Sequence, residues 1–276
     1  RDLLTHQSGL TYGFMERTNV DAAYRKLGVG DHPGRTLRDM IDALAELPLL
    51  FDPGSAWSYS VATDVCGYLC EVISGKPFDE FLQDRIFGPL GMEDTAFSVP
   101  ENERERFATN YARRRDKSLK VEDDPETSHY CSDVTFFSGG DGLVSTIDDY
   151  HRFTQMLLNG GVLGDTRIIG RKTLELMTLN HLPDGVDLSD HAVGAFAETP
   201  YNGQGFGLGF SVVQDLARGQ AIGSVGEFAW GGAASTVFWV DPAEDLTVIF
   251  MTQLMPSQTF DFRGQLKRII YPSIID

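Results

Sequence analysis

A tyrosine, Tyr59, is the side chain in this sequence best suited to moving a proton. It follows the turn signal Asp52-Pro53-Gly54, in which proline fixes φ and glycine permits positive φ, so it is delivered on a short loop. A phenol exchanges a proton when a nearby cationic nitrogen favours the phenolate, so Tyr59 could protonate a leaving alcohol. The local sequence alone favours the plainer alternative, an aromatic ring that packs beside the turn.

A second unusual motif, Trp230-Gly231-Gly232, lies between strand-like runs near the carboxyl end. Two glycines in a strand-rich stretch indicate close approach of another group to the backbone, because they contribute no side-chain packing. The alternative is a β-bulge. Under either interpretation, the Trp230 ring lies next to main chain that other groups can approach.

The elements that must position these residues are mainly helical up to about residue 180. Thr36 with Asp39 resembles a capping box, and Thr146 with Asp149 fits a second helix start. Further helices are predicted after Pro77 and over 171–180. The helix that follows Tyr59 and ends at Gly75 has an apolar side formed by Val61, Val65, Leu69, Val72 and Ile73.

Beyond residue 180 the apolar period changes to that of strands. The runs 208–213, 236–240 and 246–254 predict an antiparallel meander, and 260–270 predicts a helix that covers a sheet face. The fold class is therefore mixed, α/β (α+β), mainly helical over 1–180 and mainly antiparallel sheet with a closing helix over 181–276. The charged stretch 101–128 predicts a solvated loop or lobe edge.

Composition limits the classes of function. The net charge of −17 and the pI near 4.6 oppose binding to nucleic acid or to an anionic membrane, since both require a positive field. No apolar run reaches the ~18 to 20 residues that span a bilayer. No cofactor motif is present, and the six histidines, His32 among them, lack metal-ligand spacing. Cys66 and Cys70, four residues apart, indicate a buried helix face rather than a disulfide.

Five ordered motifs show that the chain resembles class C β-lactamase-like proteins, and in detail the family VIII carboxylesterases. They are Leu3-Leu4-Thr5-His6-Gln7-Ser8-Gly9-Leu10, the stretch from Pro53-Gly54 to Tyr59-Ser60, Phe87-Gly88-Pro89-Leu90-Gly91-Met92, Gly142-Leu143-Val144-Ser145-Thr146 with Asp149, and Trp230-Gly231-Gly232-Ala233-Ala234. The resemblance implies a β-lactamase-like fold, in which a helical lobe packs on an antiparallel sheet flanked by helices and the active site lies between the two lobes. It also implies a small-molecule ester as substrate.

The resemblance also implies roles for individual residues. Tyr59 takes the position of the family's catalytic tyrosine. Trp230 stands where β-lactamases carry the lysine of Lys-Thr-Gly on an edge strand, which favours neutral esters over anionic lactams. The Ala233 N–H would be one oxyanion donor. The remaining residues expected at the oxyanion or substrate-binding site are Gly231, Gly232, Ser60 and Val61.

The sequence departs from the family pattern at two places, which affect the expected substrate and the expected nucleophile. Val61 replaces the asparagine of Tyr-x-Asn, so it lacks the side-chain amide that would bind a β-lactam. The family's Ser-x-x-Lys motif is absent: the residues three before the six lysines are Ala23, Ile73, Arg114, Lys117, Ile169 and Gly264. In that motif one helical turn places the lysine amine beside the serine hydroxyl.

Two hypotheses remain open. The complete protein is a serine carboxylesterase whose nucleophile and lysine lie upstream of Arg1, so this chain alone is inactive, or it is a non-catalytic homologue that binds a ligand or partner. The first is consistent with a chain that opens on Arg1 without an initiator methionine, from which we expect an upstream amino-terminal segment that completes the site.

Overall fold

The helices lie mainly in the first two thirds of the chain, and the computed structural model describes residues 1–30, 34–194 and 200–275. The α-helices are α1 (Asn19–Leu27), α2 (Leu37–Leu44), α3 (Ala62–Ser74), α4 (Phe78–Leu82), α5 (Gly88–Leu90), α6 (Ile147–Leu158), α7 (Arg171–Met177), α8 (Leu188–His191), α9 (Leu216–Gly219) and α10 (Phe262–Ile270). A π-helical turn joins α4 to α5, and short 3₁₀ turns cover Gly13–Met15, Glu101–Arg106, His129–Cys131, Pro183–Gly185 and Tyr271–Ser273. No helix in these ranges is long and apolar enough to cross a membrane.

The predicted helix starts are confirmed. Thr36 and Asp39 form a reciprocal capping box at α2. At α6 the Thr146 side chain accepts the backbone N–H of Asp149. The Asp149 carboxylate does not return a bond to the Thr146 backbone as Asp39 does at α2. It accepts the Thr95 hydroxyl at 2.8 Å, and so connects α6 to a neighbouring loop.

The strands form one main sheet of five antiparallel strands in the order β5-β6-β7-β8-β9. It contains the three predicted strands as β6, β8 and β9, and two more: β5 before them and β7 between β6 and β8. The strands of the chain are β1 (Asn110–Arg113), β2 (Leu119–Asp123), β3 (Val162–Leu163), β4 (Thr166–Arg167), β5 (Gln204–Phe206), β6 (Ser211–Val213), β7 (Phe228–Gly231), β8 (Val237–Asp241), β9 (Leu246–Phe250) and β10 (Leu254–Met255).

Alternation along β8 explains how helices cover both faces of this sheet. Phe238 and Val240 join the cluster that contains Met156 of α6. Val237 and Trp239 point the other way, into a cluster completed by residues of α10 and by Tyr271. The predicted architecture, a helical lobe packed on an antiparallel sheet flanked by helices, is therefore confirmed.

The charged stretch 101–128 is mostly exposed, as expected for a lobe edge, but it is not a loop throughout. This stretch contains the antiparallel strands β1 and β2, and β1 also pairs in parallel with β10. Leu119 and Val121 on β2 are 55% and 49% exposed. Because this hairpin buries little of either face, its sequence lacks the alternation from which strands are predicted.

The apolar side predicted for α3 is buried only near the start of the helix, where Val61 and Val65 join the helical core. Val72 and Ile73 are 61% and 82% exposed. The helix instead packs through Gly67, where an added Cβ would lie 3.0 Å from the Phe78 ring. A glycine allows close helix contact without contributing to an apolar stripe, which is why the pattern indicated the other side. Cys66 and Cys70 are free thiols and half-buried.

Candidate active site

Tyr59 lies on a loop fixed from both sides by main-chain hydrogen bonds. On one side the Ser58 N–H donates to the His6 oxygen at 2.9 Å. On the other side the Trp57 N–H donates to the His191 oxygen at 3.0 Å. The loop is thus held between the amino-terminal segment and the end of α8, two parts of the chain far from it in sequence.

The Tyr59 ring is half-buried and has aromatic neighbours at several angles. Its ring centroid lies 4.9 Å from that of His6, 5.1 Å from that of Tyr12 and 5.5 Å from that of Trp230. Aromatic pairs at these separations are attractive beyond their buried area. The structure therefore brings together the phenol and the tryptophan of the two motifs.

Trp230 belongs to β7, the third of the five strands, rather than to an edge strand as the resemblance implied. The register of β7 with β6 ends at Ala229, opposite Ser211. Trp230 and Gly231 pair only with β8 in the described sheet. The end of β7 at Trp230 and Gly231 therefore has one side without a paired strand in the described sheet, although β7 is central. The Trp230 ring lies near Tyr59 at this end of the strand.

Gly231 and Gly232 admit a close contact from α10. A Cβ on Gly231 would overlap the Arg263 guanidinium, and one on Gly232 would overlap the Thr236 hydroxyl. The expectation of close approach is met, and the approaching group in this structure is Arg263. The Arg263 side chain lies on the face of the sheet that α10 covers. Gly231 is open to this face because it pairs with Val237, whose side chain packs against α10.

The turn after Gly232 presents Ala233. The Gly232 N–H donates to the Thr236 oxygen at 2.9 Å, and the Ser235 N–H donates to the Gly232 oxygen at 3.0 Å. Ala233 is exposed, and among the described residues none accepts a hydrogen bond from its N–H. The turn therefore offers a main-chain donor beside Trp230.

Ser60 and Val61 are not exposed beside Tyr59. Both are fully buried. The Ser60 hydroxyl lies 3.2 Å from His6 Nδ1, and Val61 belongs to the helical core with Leu37 and Phe136. Although the resemblance placed them against substrate, their position is underneath Tyr59, because the start of α3 turns both side chains inward.

Burial controls the charge states around Tyr59. It lowers the pKa of His6 to about 3, so this imidazole is neutral near pH 7. Burial, with the nearby Tyr59, Asp64 and Asp141, raises the pKa of Tyr12 well above its usual value. The residues beside the Tyr59 ring are therefore uncharged, and they supply shape and hydrogen bonding rather than a cation.

Two buried polar atoms flank Tyr59 without a hydrogen-bond partner among the described residues. They are Trp57 Nε1 and Ser58 Oγ. Buried polar groups are bonded in the great majority of cases. These two atoms are the unsatisfied polar groups of the loop among the described residues.

Sequence reasoning missed two residues that contact the site. His6 was grouped with the scattered histidines, although it lies inside the first of the five ordered motifs. Arg263 gave no signal, because it contacts main-chain oxygens, which no residue type marks. Among the described residues no group of three His, Cys, Asp or Glu is arranged to hold a metal, and His32 lies outside those residues.

A helical lobe packed on an antiparallel sheet with helices on both faces is the arrangement of a β-lactamase-like fold. The Beta-lactamase family profile matches residues 1–270, and the chain belongs to this family. The resemblance inferred from the five motifs is confirmed.

Individual relatives agree with this assignment. The chain is 36% identical over 264 residues to Protein Rv1367c of Mycobacterium tuberculosis, covering 94% of this chain and 63% of that protein. It is 32% identical over 270 residues to Esterase EstB of Burkholderia gladioli, covering 91% and 63%. The chain thus spans 63% of the length of these curated relatives.

A solved structure gives the same result. It is described as EstCE1, a hydrolase with promiscuous acyltransferase activity. It superposes with a TM-score of 0.82 at 27% identity, over 98% of this chain and 71% of that one. The named relatives of this fold therefore include an esterase and a hydrolase that also transfers acyl groups.

Proposed function

We propose that the complete protein is a serine carboxylesterase that hydrolyses short acyl esters through an acyl-enzyme. The observation that carries the proposal is the 5.5 Å approach of the Tyr59 and Trp230 rings, next to the exposed Ala233. In this proposal residues 1–180 and 181–276 together form one catalytic domain. An upstream segment completes it with the nucleophilic serine and its lysine.

The reaction proceeds in two balanced halves. The serine hydroxyl attacks the ester carbonyl and passes its proton to Tyr59, which the cationic lysine keeps as a phenolate, while the negative oxygen accepts hydrogen bonds from the N–H groups of Ala233 and of the serine. Tyr59 gives this proton to the leaving alkoxide, so the alcohol departs, the acyl group stays on serine and Tyr59 is again a phenolate. Water then attacks the acyl-serine and passes a proton to Tyr59, which returns it to the serine oxygen as the carboxylic acid leaves.

The lining favours neutral substrates. Trp230 replaces a cationic side chain with an apolar wall, and its ring meets Phe206 edge to face at 5.5 Å between centroids. Losing a charge-assisted contact of about 1.5 to 3 kcal/mol is enough to change the preferred substrate. Val61 is buried and offers no amide. We infer preference for uncharged acyl esters over anionic lactams.

The upstream segment is supported by the two motifs that the chain retains. Tyr59 and Trp230-Gly231-Gly232 are both present, and the Tyr59 and Trp230 rings lie 5.5 Å apart. The competing proposal, a homologue that binds without chemistry, is supported by the absence of any serine three residues before a lysine.

The test uses the protein extended upstream to its first in-frame start codon, called the extended protein below. We expect it to hydrolyse a chromogenic butyrate ester. Replacing the serine of an upstream Ser-x-x-Lys with alanine should abolish turnover, and Tyr59→Phe should lower kcat by about 10²- to 10⁴-fold.

Two further outcomes discriminate between the proposals. Residues 1–276 alone should show no acylation burst, so a stoichiometric covalent adduct with an acylating inhibitor on this chain would contradict the upstream nucleophile. An extended protein that folds but turns over no ester would support the binding homologue.

A further inference from the structure

His6 occupies the space directly beneath the proposed proton-transferring tyrosine. Its side chain is 3% exposed. Its ring centroid lies 4.9 Å from Tyr59, 5.7 Å from Trp57 and 5.5 Å from Phe206. One imidazole thus contacts both the Tyr59 loop and the strand β5, which contains Phe206.

Hydrogen bonds attach the same residue to both sides of Tyr59 in the chain. His6 Nδ1 lies 3.2 Å from the Ser60 hydroxyl. The His6 carbonyl oxygen accepts the Ser58 N–H at 2.9 Å. His6 therefore anchors both residue 58 and residue 60, and the intervening Tyr59 ring lies between the His6 ring and the Trp230 ring, 4.9 Å from the first and 5.5 Å from the second.

The backbone of His6 is unusual. Its φ is +54°, in the left-handed region that residues other than glycine seldom adopt. Such a conformation persists when the surroundings over-determine it, and it occurs most often at functional sites. At His6, the ring contacts and the two hydrogen bonds hold the backbone in this conformation.

The imidazole is not placed to exchange protons in the reaction. Burial lowers its pKa to about 3, and the titratable group in ring contact with it is the Tyr59 phenol. It is therefore neutral across the pH range in which an esterase is assayed. A neutral ring with one hydrogen-bonded nitrogen can orient its neighbours without changing charge.

We propose that His6 is a positioning residue, which fixes the direction of the Tyr59 phenol through its hydrogen bond to Ser60 and its contact with the Tyr59 ring. The inference rests on the proposed function, since it assigns His6 a role through Tyr59. Tyr59 itself touches the reacting atoms, and His6 does not.

The kinetic test is a double-mutant cycle in the extended protein. His6→Phe keeps an aromatic ring and removes the hydrogen bond, and Ser60→Ala removes its partner. Each should lower kcat about tenfold with KM unchanged, the effect of losing one hydrogen bond. The double variant should also lose about tenfold, because the two changes remove the same interaction.

Three controls separate positioning from general instability or proton transfer. His6→Asn tolerates the left-handed backbone and retains a hydrogen-bonding group near the Nδ1 position, so it should recover most of the lost kcat. His151→Phe alters an exposed histidine on α6 and should have no effect. Multiplicative losses of about a hundredfold in the double variant, or an acid limb of the pH profile that disappears in His6→Phe, would overturn the proposal.

A readout independent of turnover keeps the inference separate from the proposed activity. Incorporating 3-fluorotyrosine gives a ¹⁹F resonance for Tyr59, which the Tyr59→Phe variant identifies. His6→Phe and Ser60→Ala should both shift this resonance, and His151→Phe should leave it in place. If the extended protein is inert, the esterase proposal fails. If the Tyr59 resonance is unmoved in both variants, the positioning role fails.

Discussion

Arg263 and Gly232 are joined by a hydrogen bond of 3.2 Å from the guanidinium Nη2 to the main-chain oxygen, and the same nitrogen lies 3.2 Å from the Thr236 oxygen. One side chain of α10 thus holds both ends of the turn that contains Ala233. Because the N–H of Ala233 is the proposed oxyanion donor, a residue on the far side of the sheet determines where that donor points.

Removing this guanidinium should impair catalysis. Arg263→Lys in the extended protein keeps the charge and loses the planar fork, so we expect kcat to fall by about 10- to 100-fold, since small displacements of oriented groups are costly. Steady-state kinetics with the butyrate ester measure this. Arg268→Lys, on the same helix and exposed, is the matched control and should retain wild-type kcat. Equal losses in the two variants would contradict the role of Arg263.

Gly231 should tolerate a side chain only when Arg263 is absent. Gly231→Ala places a Cβ on the guanidinium, and overpacking of this kind costs about 1 to 3 kcal/mol. In the double variant Gly231→Ala/Arg263→Ala the overlap is removed. The free energy of unfolding, measured in urea, should therefore fall by less than the sum of the two single changes, by about 1 kcal/mol. Strict additivity would show that the two residues do not meet.

A buried ionic cluster on the same face of the sheet should dominate the stability of α10. Lys267 Nζ lies 2.5 Å from Glu227, a residue that is 1% exposed, and the Tyr271 hydroxyl lies 2.7 Å from both Glu227 and Asp241. Lys267→Met leaves a buried carboxylate without its cation and should reduce the free energy of unfolding by about 3 kcal/mol.

The exposed pair between Lys172 and Glu175 provides the comparison for this prediction. Lys172→Met should leave the urea midpoint nearly unchanged, because exposed ion pairs contribute little. Similar shifts for Lys267→Met and Lys172→Met would mean that the Glu227 cluster is solvated in solution.

His6 should make folding sensitive to acid. Its folded-state pKa is lowered to about 3, below the unfolded value of about 6.5, so the unfolded state binds the proton first. The stability present above pH ~6.5 is lost as pH falls toward 3, with a slope of up to about 1.4 kcal/mol per pH unit. Urea unfolding of His6→Asn between pH 6 and 4 should show a slope shallower by that amount.

The exposed His151 is the control for this measurement, because His151→Asn should reproduce the wild-type slope. Parallel pH dependences for wild type and His6→Asn would show that the imidazole is hydrated rather than buried.

The sequence predicted those features that depend on residues close together in the chain. The caps at Thr36 and Thr146 depend on contacts three residues away, so the corresponding helix starts were predicted. The ordered motifs indicated the family and paired Tyr59 with Trp230. The contacts of Arg263 with main-chain oxygens, and of His6 with a loop some fifty residues later, depend on tertiary structure and left no periodic pattern.

The short strand β10 connects the exposed hairpin to the turn that carries Ala233. Leu254 pairs with Tyr111 of β1, its N–H donates to the Ala234 oxygen at 3.1 Å, and its oxygen accepts the Ser235 hydroxyl at 2.6 Å. Main-chain and side-chain hydrogen bonds thus join the exposed hairpin to the turn of the proposed oxyanion donor through β10. We expect an antibody or tether attached to the hairpin to alter turnover by the extended protein for this reason.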